Sequence, residues 1–224
     1  MDIKTTIIVP AYHEEKGIAV VLDKILKVID DSYEIVVIDD GSMDKTFDVA
    51  CQYKCRVIQH EVNKGKGQAI QTGIEQAKGE KIIWIDADDS YPSSIIPLMS
   101  NALDWVDIVV CSRAYGKRYI PKINRVGLAI FRLAIKSIYG FKANDPCSGL
   151  YAGRKDLLVK MKLTSKRFTI EPEVSIKTGR MKLRTIDIPI EYRMRVGISK
   201  LGTFKVGWQD SICIMKHLFW RANG

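Results

Sequence analysis

Residues Trp84–Pro92 read WIDADDSYP, and they continue a run of apolar and β-branched residues that begins at Ile82. Such a run is typical of a buried strand, and it ends in three carboxylates within four residues, Asp86, Asp88 and Asp89. Like charges this close raise one another's pKa. Mg²⁺ and Mn²⁺ are commonly held by one or two carboxylates together with phosphate oxygens of a substrate. The stretch therefore predicts a divalent metal site at the end of a strand, with a solvated acidic turn before a helix as the alternative.

The rest of the first half alternates short apolar strands with helical segments. The predicted strands are Thr5–Pro10, Glu34–Ile38, Arg56–Gln59, Lys81–Ile85 and Asp107–Cys111, and the predicted helices are Glu15–Ile29, Asp44–Gln52, Gly67–Ala77 and Pro92–Leu103. Strands that are apolar throughout and alternate with helices indicate a parallel sheet covered on both faces. Ligands of such α/β sheets bind outside the carboxyl ends of the strands.

Three polar segments follow predicted strands and are expected to meet at that edge of the sheet. They are PAYHE at 10–14, DDGS at 39–42 and DAD at 86–88. The aspartates of DDGS can accept hydrogen bonds from a base or a ribose, and Tyr12 can stack on a base. Each segment alone is also compatible with a plain strand-to-helix turn, in which Asp40 or Ser42 caps the next helix. The convergence of three loops favours a shared ligand site.

The segment NKGKG at 63–67 resembles a phosphate-binding loop at a helix N-terminus. Lys64 is its candidate phosphate contact, and a basic surface turn is the alternative interpretation. The segment matches neither G-x-x-x-x-G-K-[ST] nor G-x-G-x-x-G, which disfavours a P-loop NTPase and a dinucleotide-binding protein.

The composition, 46% hydrophobic and 27% charged residues in 224, is that of a soluble globular protein. Residues 1–112 carry a net charge of −8 and residues 113–224 carry +17, which together give the total of +9. A basic half suits phosphate ligands or anionic lipid headgroups, and the acidic half disfavours nucleic-acid binding. Five cysteines without a C-x-x-C pair indicate reduced thiols in the cytosol. No secretory signal is evident, and no apolar stretch reaches the ~20 residues of a membrane span.

The second half mixes helices with fewer strands. The predicted elements are helices at Ile123–Tyr139, Arg154–Met161, Glu171–Thr178 and Gly202–Trp220, with strands at Ser148–Ala152 and Leu183–Ile188. The apolar segments Ile120–Tyr139 and Phe204–Trp220 are interpreted as amphipathic helices at a membrane interface, with core packing as the alternative.

Several of these motifs carry a family resemblance. TTIIVPAYHEE, EIVVIDDGSMDKT, NKGKGQAIQTGIEQAKGEKIIWIDADD and SRAYGKR together resemble family 2 glycosyltransferases with the GT-A fold. CSGLYAGRKDLL, FTIEPEV and IPIEYRMRVGISKLGTFK are similar, more narrowly, to dolichol- and polyprenyl-phosphate sugar synthases. The resemblance implies one GT-A domain over 1–224, with a mostly parallel, Rossmann-like sheet flanked by helices. Residues 1–112 would bind the nucleotide sugar, and residues 113–224 would bind the acceptor and face the membrane.

The resemblance also implies roles for individual residues. Nucleotide contacts fall on Pro10, Tyr12, Glu14, Asp39, Asp40, Lys64, Asp86 and Ala87, and the ligands of Mg²⁺ or Mn²⁺ are Asp86 and Asp88. Catalytic roles fall on Asp88, Arg113, Arg195 and Lys200, and acceptor contacts on Arg113, Arg125, Arg132 and Ser199.

The implied reaction is inverting transfer of mannose or glucose from a GDP- or UDP-linked sugar to dolichyl or polyprenyl phosphate. A phosphate acceptor is already anionic and needs no strong base, and Glu171 and Glu173 would then orient sugar hydroxyls or pair with Arg195. A glycan hydroxyl acceptor, the first alternative, would require one of these two glutamates as base. A non-catalytic nucleotide-sugar-binding membrane adaptor is the second alternative.

The expected partners follow from this reaction. They are the nucleotide sugar, the lipid phosphate, an anionic membrane surface and a membrane-anchoring protein, with no nucleic acid. The expected location is cytoplasmic, peripheral to the inner face of the cell membrane.

Overall fold

Seven strands build one sheet in the computed structural model, which describes residues 2–116, 119 and 122–197 without the side chains of 122–124. In chain order they are β1 (Thr5–Ala11), β2 (Tyr33–Asp39), β3 (Arg56–Gln59), β4 (Lys81–Trp84), β5 (Ile108–Tyr115), β6 (Tyr151–Arg154) and β7 (Thr185–Glu191). Their spatial order is β3-β2-β1-β4-β6-β5-β7. β6 runs antiparallel to both of its neighbours, and every other pair is parallel. The predicted mostly parallel α/β fold is therefore confirmed.

The helices lie close to their predicted positions. They are α1 (Gly17–Leu26), α2 (Thr46–Ala50), α3 (Lys66–Gln76), α4 (Ile96–Ala102), α5 (Lys122–Tyr139), α6 (Lys155–Lys160) and α7 (Ile170–Arg180). α1 begins later than predicted because the carbonyl of Glu14 accepts the amides of Gly17 and Ile18. The helix predicted from Pro92 begins as a 3₁₀ turn over Ser93–Ile95.

The sheet is apolar on both faces, as a parallel sheet between two helical layers requires. Alternate residues of β1 divide between two clusters, with Ile8 on one side and Ile7 and Val9 on the other. The first cluster includes residues of α3, α5 and α7, and the second includes residues of α1 and α4. All three β1 side chains are fully buried.

The register of the sheet places the predicted functional loops at one edge. Ala11 at the end of β1 pairs with Asp39 at the end of β2, and Ile8 of β1 pairs with Trp84 at the end of β4. The carboxyl ends of three neighbouring strands therefore emerge side by side. The three polar segments that follow these strands therefore converge, as the sequence analysis expected.

Two predictions fall on residues for which no placement is described. The helix at Gly202–Trp220 and the site residues Ser199 and Lys200 lie outside the described residues. Of the helices in the described part of the chain, none is both long enough and apolar enough to cross a bilayer.

Candidate active site

The three carboxylates after β4 point to different partners. Asp89 has a positive φ of 59° and its carboxylate lies 2.6 and 2.7 Å from Lys24 Nζ on α1. Asp88 accepts the amide of Ser90 at 3.0 Å and its hydroxyl at 2.5 Å. The left-handed turn at Asp89 thus directs the third carboxylate towards α1, and Asp86 and Asp88 remain as the two carboxylates of the candidate site.

Asp86 shares a buried cation with helix α7. Lys66 Nζ, from the first residue of α3, lies 2.6 Å from Asp86 Oδ1 and 2.6 Å from Glu171 Oε1. Burial raises the pKa of Asp86 and of Glu171, an effect that Lys66 opposes. Burial lowers the pKa of Lys66, but the two carboxylates outweigh it and hold the pKa well above its ordinary value. Lys66 therefore stays charged and joins α3, α7 and the DAD segment.

Arg195 joins the first predicted segment to the third. Its Nη2 lies 2.8 Å from Glu14 Oε1 and its Nη1 lies 3.3 Å from Asp88 Oδ2. The backbone follows, because the amide of Val196 donates to the carbonyl of Asp88 at 2.8 Å. The structure thus brings together Glu14, Asp88 and Arg195, three residues that the sequence analysis named separately as site candidates.

Asp39 and Tyr12 belong to a second junction. Ser42 donates its amide, at 3.2 Å, and its hydroxyl to Asp39, and Gln59 donates to the other oxygen at 2.8 Å. The hydroxyl oxygen of Ser42 accepts the amide of His13 at 2.9 Å, and the ring of His13 stacks on Tyr12. Asp39 is fully buried and braces the turn between the first two segments. Its contact with a nucleoside stays a prediction.

Asp40 braces the N-terminus of α3. It accepts the amides of Lys64 at 2.9 Å and Gly65 at 2.7 Å. The amides of Gly67 and Gln68 donate to backbone carbonyls of the 162–168 loop, the segment that precedes α7. The expected backbone phosphate cradle in NKGKG is therefore wrong, since three of its amides, those of Lys64, Gly65 and Gly67, already have acceptors within the protein. The side chain of Lys64 is exposed, and its nucleotide contact stays a prediction.

Two further residues predicted to contact the nucleotide, Pro10 and Ala87, are buried, and their nucleotide contacts stay predictions. Pro10 is buried within β1, and Ala87 is buried against α1. A Cβ on Gly17 would lie 2.4 Å from the carbonyl oxygen of Ala87, so α1 approaches the DAD segment as closely as only glycine permits.

Arg113, at the end of β5, is held by an internal carboxylate. Its Nε lies 2.6 Å from Asp145 Oδ2 and its Nη2 lies 2.9 Å from Asp145 Oδ1. Nη2 also donates to the carbonyl of Cys147, and the guanidinium lies 5.5 Å from the ring centroid of Tyr192. The guanidinium group that was expected to bind phosphate therefore binds both oxygens of Asp145, and this bidentate contact fixes the orientation of Arg113. Its acceptor role stays a prediction.

The other predicted acceptor arginines lie on α5. Arg132 is exposed, with Nη1 at 3.5 Å from Asn144 Oδ1, and Arg125 is half-buried. Within the described part of the chain, neither has a hydrogen bond or ion pair with Asp86 or Asp88. The structure does not bring them to the carboxylates, and their acceptor contacts stay predictions.

The two glutamates of FTIEPEV have partners other than the expected Arg195. Glu171 pairs with Lys66. Glu173 is fully buried and bonds to Thr164, Ser165 and Lys177. The pairing of either glutamate with Arg195 is therefore wrong, because Arg195 extends towards β1 and β4.

Lys66 and Gly149 are the site residues that sequence reasoning missed. Lys66 lies two positions from Lys64 in the same motif. Its two flanking glycines were the feature of the sequence that could have marked it as a site residue. Gly149 donates its amide to Tyr91 Oη at 2.6 Å, and a Cβ on it would lie 2.1 Å from Asp86 Oδ2. No spacing in the sequence marks Gly149, because its neighbour Asp86 is 63 positions away.

Comparison with known proteins places this geometry in a family. The crystal structure of Mycobacterium tuberculosis glucosyl-3-phosphoglycerate synthase with Mn²⁺, UDP and glucosyl-3-phosphoglycerate has the same fold. Its TM-score is 0.74 at 22% identity, over 99% of this chain and 81% of that one. The dolichyl-phosphate hexose transferase of Haloferax volcanii is 29% identical over 203 residues, which cover 90% of this chain and 88% of that protein.

The dolichol-phosphate mannosyltransferase of Pyrococcus furiosus is 31% identical over 212 residues, covering 88% of this chain and 59% of that protein. The family model described as glycosyl transferase family 2 matches residues 6–161. Since that match covers more than half of the chain, the protein belongs to glycosyl transferase family 2.

Proposed function

We propose that this glycosyltransferase moves a hexose from a nucleotide diphosphate sugar to the phosphate of a dolichyl or polyprenyl lipid, with inversion. The observation that carries the proposal is the mixed-charge site beside the end of β4. There Asp86 and Asp88 lie against Lys66 and Arg195. The names of the Haloferax and Pyrococcus relatives support the hexose and the lipid phosphate.

Asp86 and Asp88 are the residues that would hold a divalent cation. Burial and the nearby charge of Asp88 both raise the pKa of Asp86, so a cation beside it would relieve an unfavourable charge. Within the described residues no cluster of three or more His, Cys, Asp or Glu side chains is arranged for a metal. Two carboxylates are nevertheless sufficient for Mg²⁺ or Mn²⁺ when a substrate phosphate supplies further ligands. The bound cation would neutralise charge on the departing diphosphate.

Lys66 and Arg195 supply the fixed positive charge of the chain itself. Both side chains are mostly buried, at 16% and 22% exposed, and each is oriented by a second carboxylate, Glu171 or Glu14. Charges that are already oriented stabilise negative charge developing in a transition state without reorganisation. In the proposed reaction these two cations would act on the diphosphate leaving group.

The arrangement of α7 favours a phosphate acceptor over a glycan hydroxyl. A hydroxyl acceptor needs a general base within hydrogen-bond reach. Glu173 is enclosed by its own hydrogen bonds, and Glu171 is 3% exposed and paired with Lys66. A lipid phosphate needs neither glutamate as base.

Helix α5 offers a surface for the membrane that would carry this lipid. Its inward face, Phe131, Ile135 and Tyr139, packs in the core, and its outward face leaves Val126, Ile130 and Leu133 exposed by 60 to 67%. The outward residues recur at four- and three-residue spacing on one side of the helix. The exposed Arg132 and Lys136 flank them. We extend the proposal to contact of α5 with an anionic membrane surface on the cytoplasmic side, aided by a membrane-anchoring partner protein.

A transfer assay tests the proposed function. GDP-mannose, UDP-glucose and UDP-N-acetylglucosamine are each incubated with Mn²⁺ and a short polyprenyl phosphate. The free polyprenol of the same length is the matched control, and an oligosaccharide is the third acceptor. We expect glycosyl transfer to the phosphate alone. Transfer to the oligosaccharide would favour the glycan-acceptor alternative, and donor binding without turnover on any acceptor would favour a non-catalytic protein.

A further inference from the structure

We propose that Glu173 and Lys177, a salt bridge buried beneath the site, are positioning residues for Lys66. The inference rests on the proposed function, because it gives Lys66 a task at the donor diphosphate. The pair acts through the 162–168 loop and the N-terminus of α3.

The salt bridge has unusually complete bonding. Lys177 Nζ lies 2.6 Å from Glu173 Oε1, with the two side chains 1% and 0% exposed. The ammonium also donates to the carbonyls of Met161 at 2.9 Å and Lys162 at 3.0 Å. Buried ion pairs often add no stability over apolar residues of similar volume. A role in fixing the geometry of the backbone accounts for this pair better than stability does.

Glu173 fixes the 162–168 loop directly. Its carboxylate accepts the amide of Ser165 at 2.7 Å and that of Thr164 at 3.0 and 3.1 Å. It also accepts the hydroxyl of Thr164 at 3.2 Å. Lys177 binds backbone carbonyls at the start of the loop, and Glu173 binds backbone amides two and three residues further on. The loop is therefore held in place by two charges from α7.

The loop in turn receives the first turn of α3. Its carbonyls accept the amide of Gly67 at 3.1 Å and the amide of Gln68 at 3.0 Å. The side-chain amide of Gln71 donates to the carbonyl of Ser165 at 2.8 Å. Amides in the first turn of a helix have no partner within the helix. The loop thus caps α3 with backbone oxygens whose positions Glu173 and Lys177 set.

The contact between loop and helix is too close for any side chain. A Cβ on Gly67 would lie 2.2 Å from the carbonyl oxygen of Ser165, and one on Gly65 would lie 2.4 Å from that of Lys166. Lys66 stands between these two glycines, so the loop determines where its backbone lies. Helix α7 accordingly holds Lys66 twice, at the ammonium through Glu171 and at the backbone through Glu173.

A double-mutant cycle tests this inference. In Glu173→Gln the carboxamide NH₂ would face donors, and we expect the loop to shift and kcat to fall by up to ~10²-fold, the effect of displacing a catalytic group by about 1 Å. In a Lys66→Met background the same substitution is expected to have no further effect, because its route to the site is already removed. Gln71→Met, which loses the bonds to the carbonyl of Ser165 in the loop and to the carbonyl of Gly67 in the first turn of α3, is expected to behave in the same way with a smaller loss. If Glu173→Gln does not fold, Gln71→Met replaces it in the double-mutant cycle.

The control is Arg184→Gln, which breaks the ion pair with Asp107 at the opposite end of the sheet. Its effect is expected to be equal in both backgrounds. Equal fold-losses for Glu173→Gln with and without Lys66 would overturn the inference, since that pattern reports a loss of folded protein.

Crystal structures of the wild type, Glu173→Gln and Gln71→Met give a readout that needs no activity. We expect Lys66 Nζ to leave one or both carboxylates in the variants. An ammonium that stays within 2.6 Å of Asp86 and Glu171, as in the wild type, would overturn the inference. If wild-type protein transfers no sugar to any acceptor, the proposed function fails, and these structures still decide the positioning role.

Discussion

Gly149→Ala should disable the site while leaving the fold intact. Gly149 lies just before β6, and its added Cβ would stand 2.1 Å from Asp86 Oδ2 and 2.6 Å from its Cγ. Both distances are below the 3.0 Å that Cβ atoms essentially always keep from other heavy atoms. The nearest groups are the atoms of one carboxylate, so relief requires that Asp86 move.

The geometry gives the size of the effect. Asp86 Oδ2 must retreat by at least 0.9 Å to restore a 3.0 Å separation. Displacement of a reacting or binding group by about 1 Å reduces rates by up to ~10²-fold, which corresponds to about 2.7 kcal/mol of activation free energy. The overpacking itself is expected to lower the free energy of unfolding by about 1 to 3 kcal/mol.

Gly153→Ala provides the matched control. Gly153 lies within β6, and its Cβ would stand 2.8 Å from Ile108 Cδ1 and 3.2 Å from Leu158 Cδ2, so it also overpacks a buried position. Thermal unfolding should show comparable losses for both variants. Calorimetry of nucleotide binding with Mn²⁺, followed by turnover, should show loss only in Gly149→Ala. Turnover of Gly149→Ala within about threefold of Gly153→Ala, a difference of about 0.7 kcal/mol, would refute the reasoning.

Four shorter predictions concern the metal, the leaving group, acid stability and the membrane. Asp88→Asn should abolish the Mn²⁺-dependent gain in nucleotide affinity, at least about 10-fold, and leave binding in EDTA unchanged; calorimetry with and without the chelator checks both. Arg195→Ala should lower kcat by about 10-fold or more with little change in thermal midpoint, and an unaltered rate would remove it from the mechanism. Hydrogen bonds from Arg184 hold the pKa of Asp107 below its ordinary 3.8. That stabilisation is present above pH 3.8 and is lost as the pH falls through the lower folded-state pKa. Asp107→Asn should therefore lower the free energy of unfolding by about 1 kcal/mol at neutral pH, and the difference from the wild type should vanish in strong acid. Urea unfolding at both pH values measures this difference. Leu133→Glu should weaken sedimentation with phosphatidylserine vesicles several-fold without lowering turnover on a detergent-solubilised acceptor, and equal sedimentation would argue against contact of α5 with the membrane.

Much of the fold was predictable because it depends on local pattern. In the first half of the chain, short apolar runs that alternate with helical stretches indicate a parallel sheet, whereas the antiparallel direction of β6 in the second half did not follow from this pattern. That sheet in turn places the ends of β1, β2 and β4 together. The carboxylates Asp86 and Asp88 could therefore be predicted as site residues.

The partners of those residues could not be predicted. Lys66 meets Glu171 across 105 positions, Arg195 meets Glu14 across 181, and Arg113 meets Asp145 across 32. No periodicity links such pairs, since each depends on how two packed elements face one another.

The sequence by itself determined which strands end in acidic residues and that these ends share one edge of an α/β sheet. Only the tertiary structure decided which charged side chains bind groups within the protein and which face the site. Asp39, Asp40 and Glu173 are each buried and hydrogen-bonded within the protein, which their sequence positions do not reveal, and the nucleotide contacts of Asp39 and Asp40 stay predictions. The physical reason is that a buried carboxylate must find hydrogen-bond donors, and the packing of distant elements determines whether the protein or a ligand supplies them.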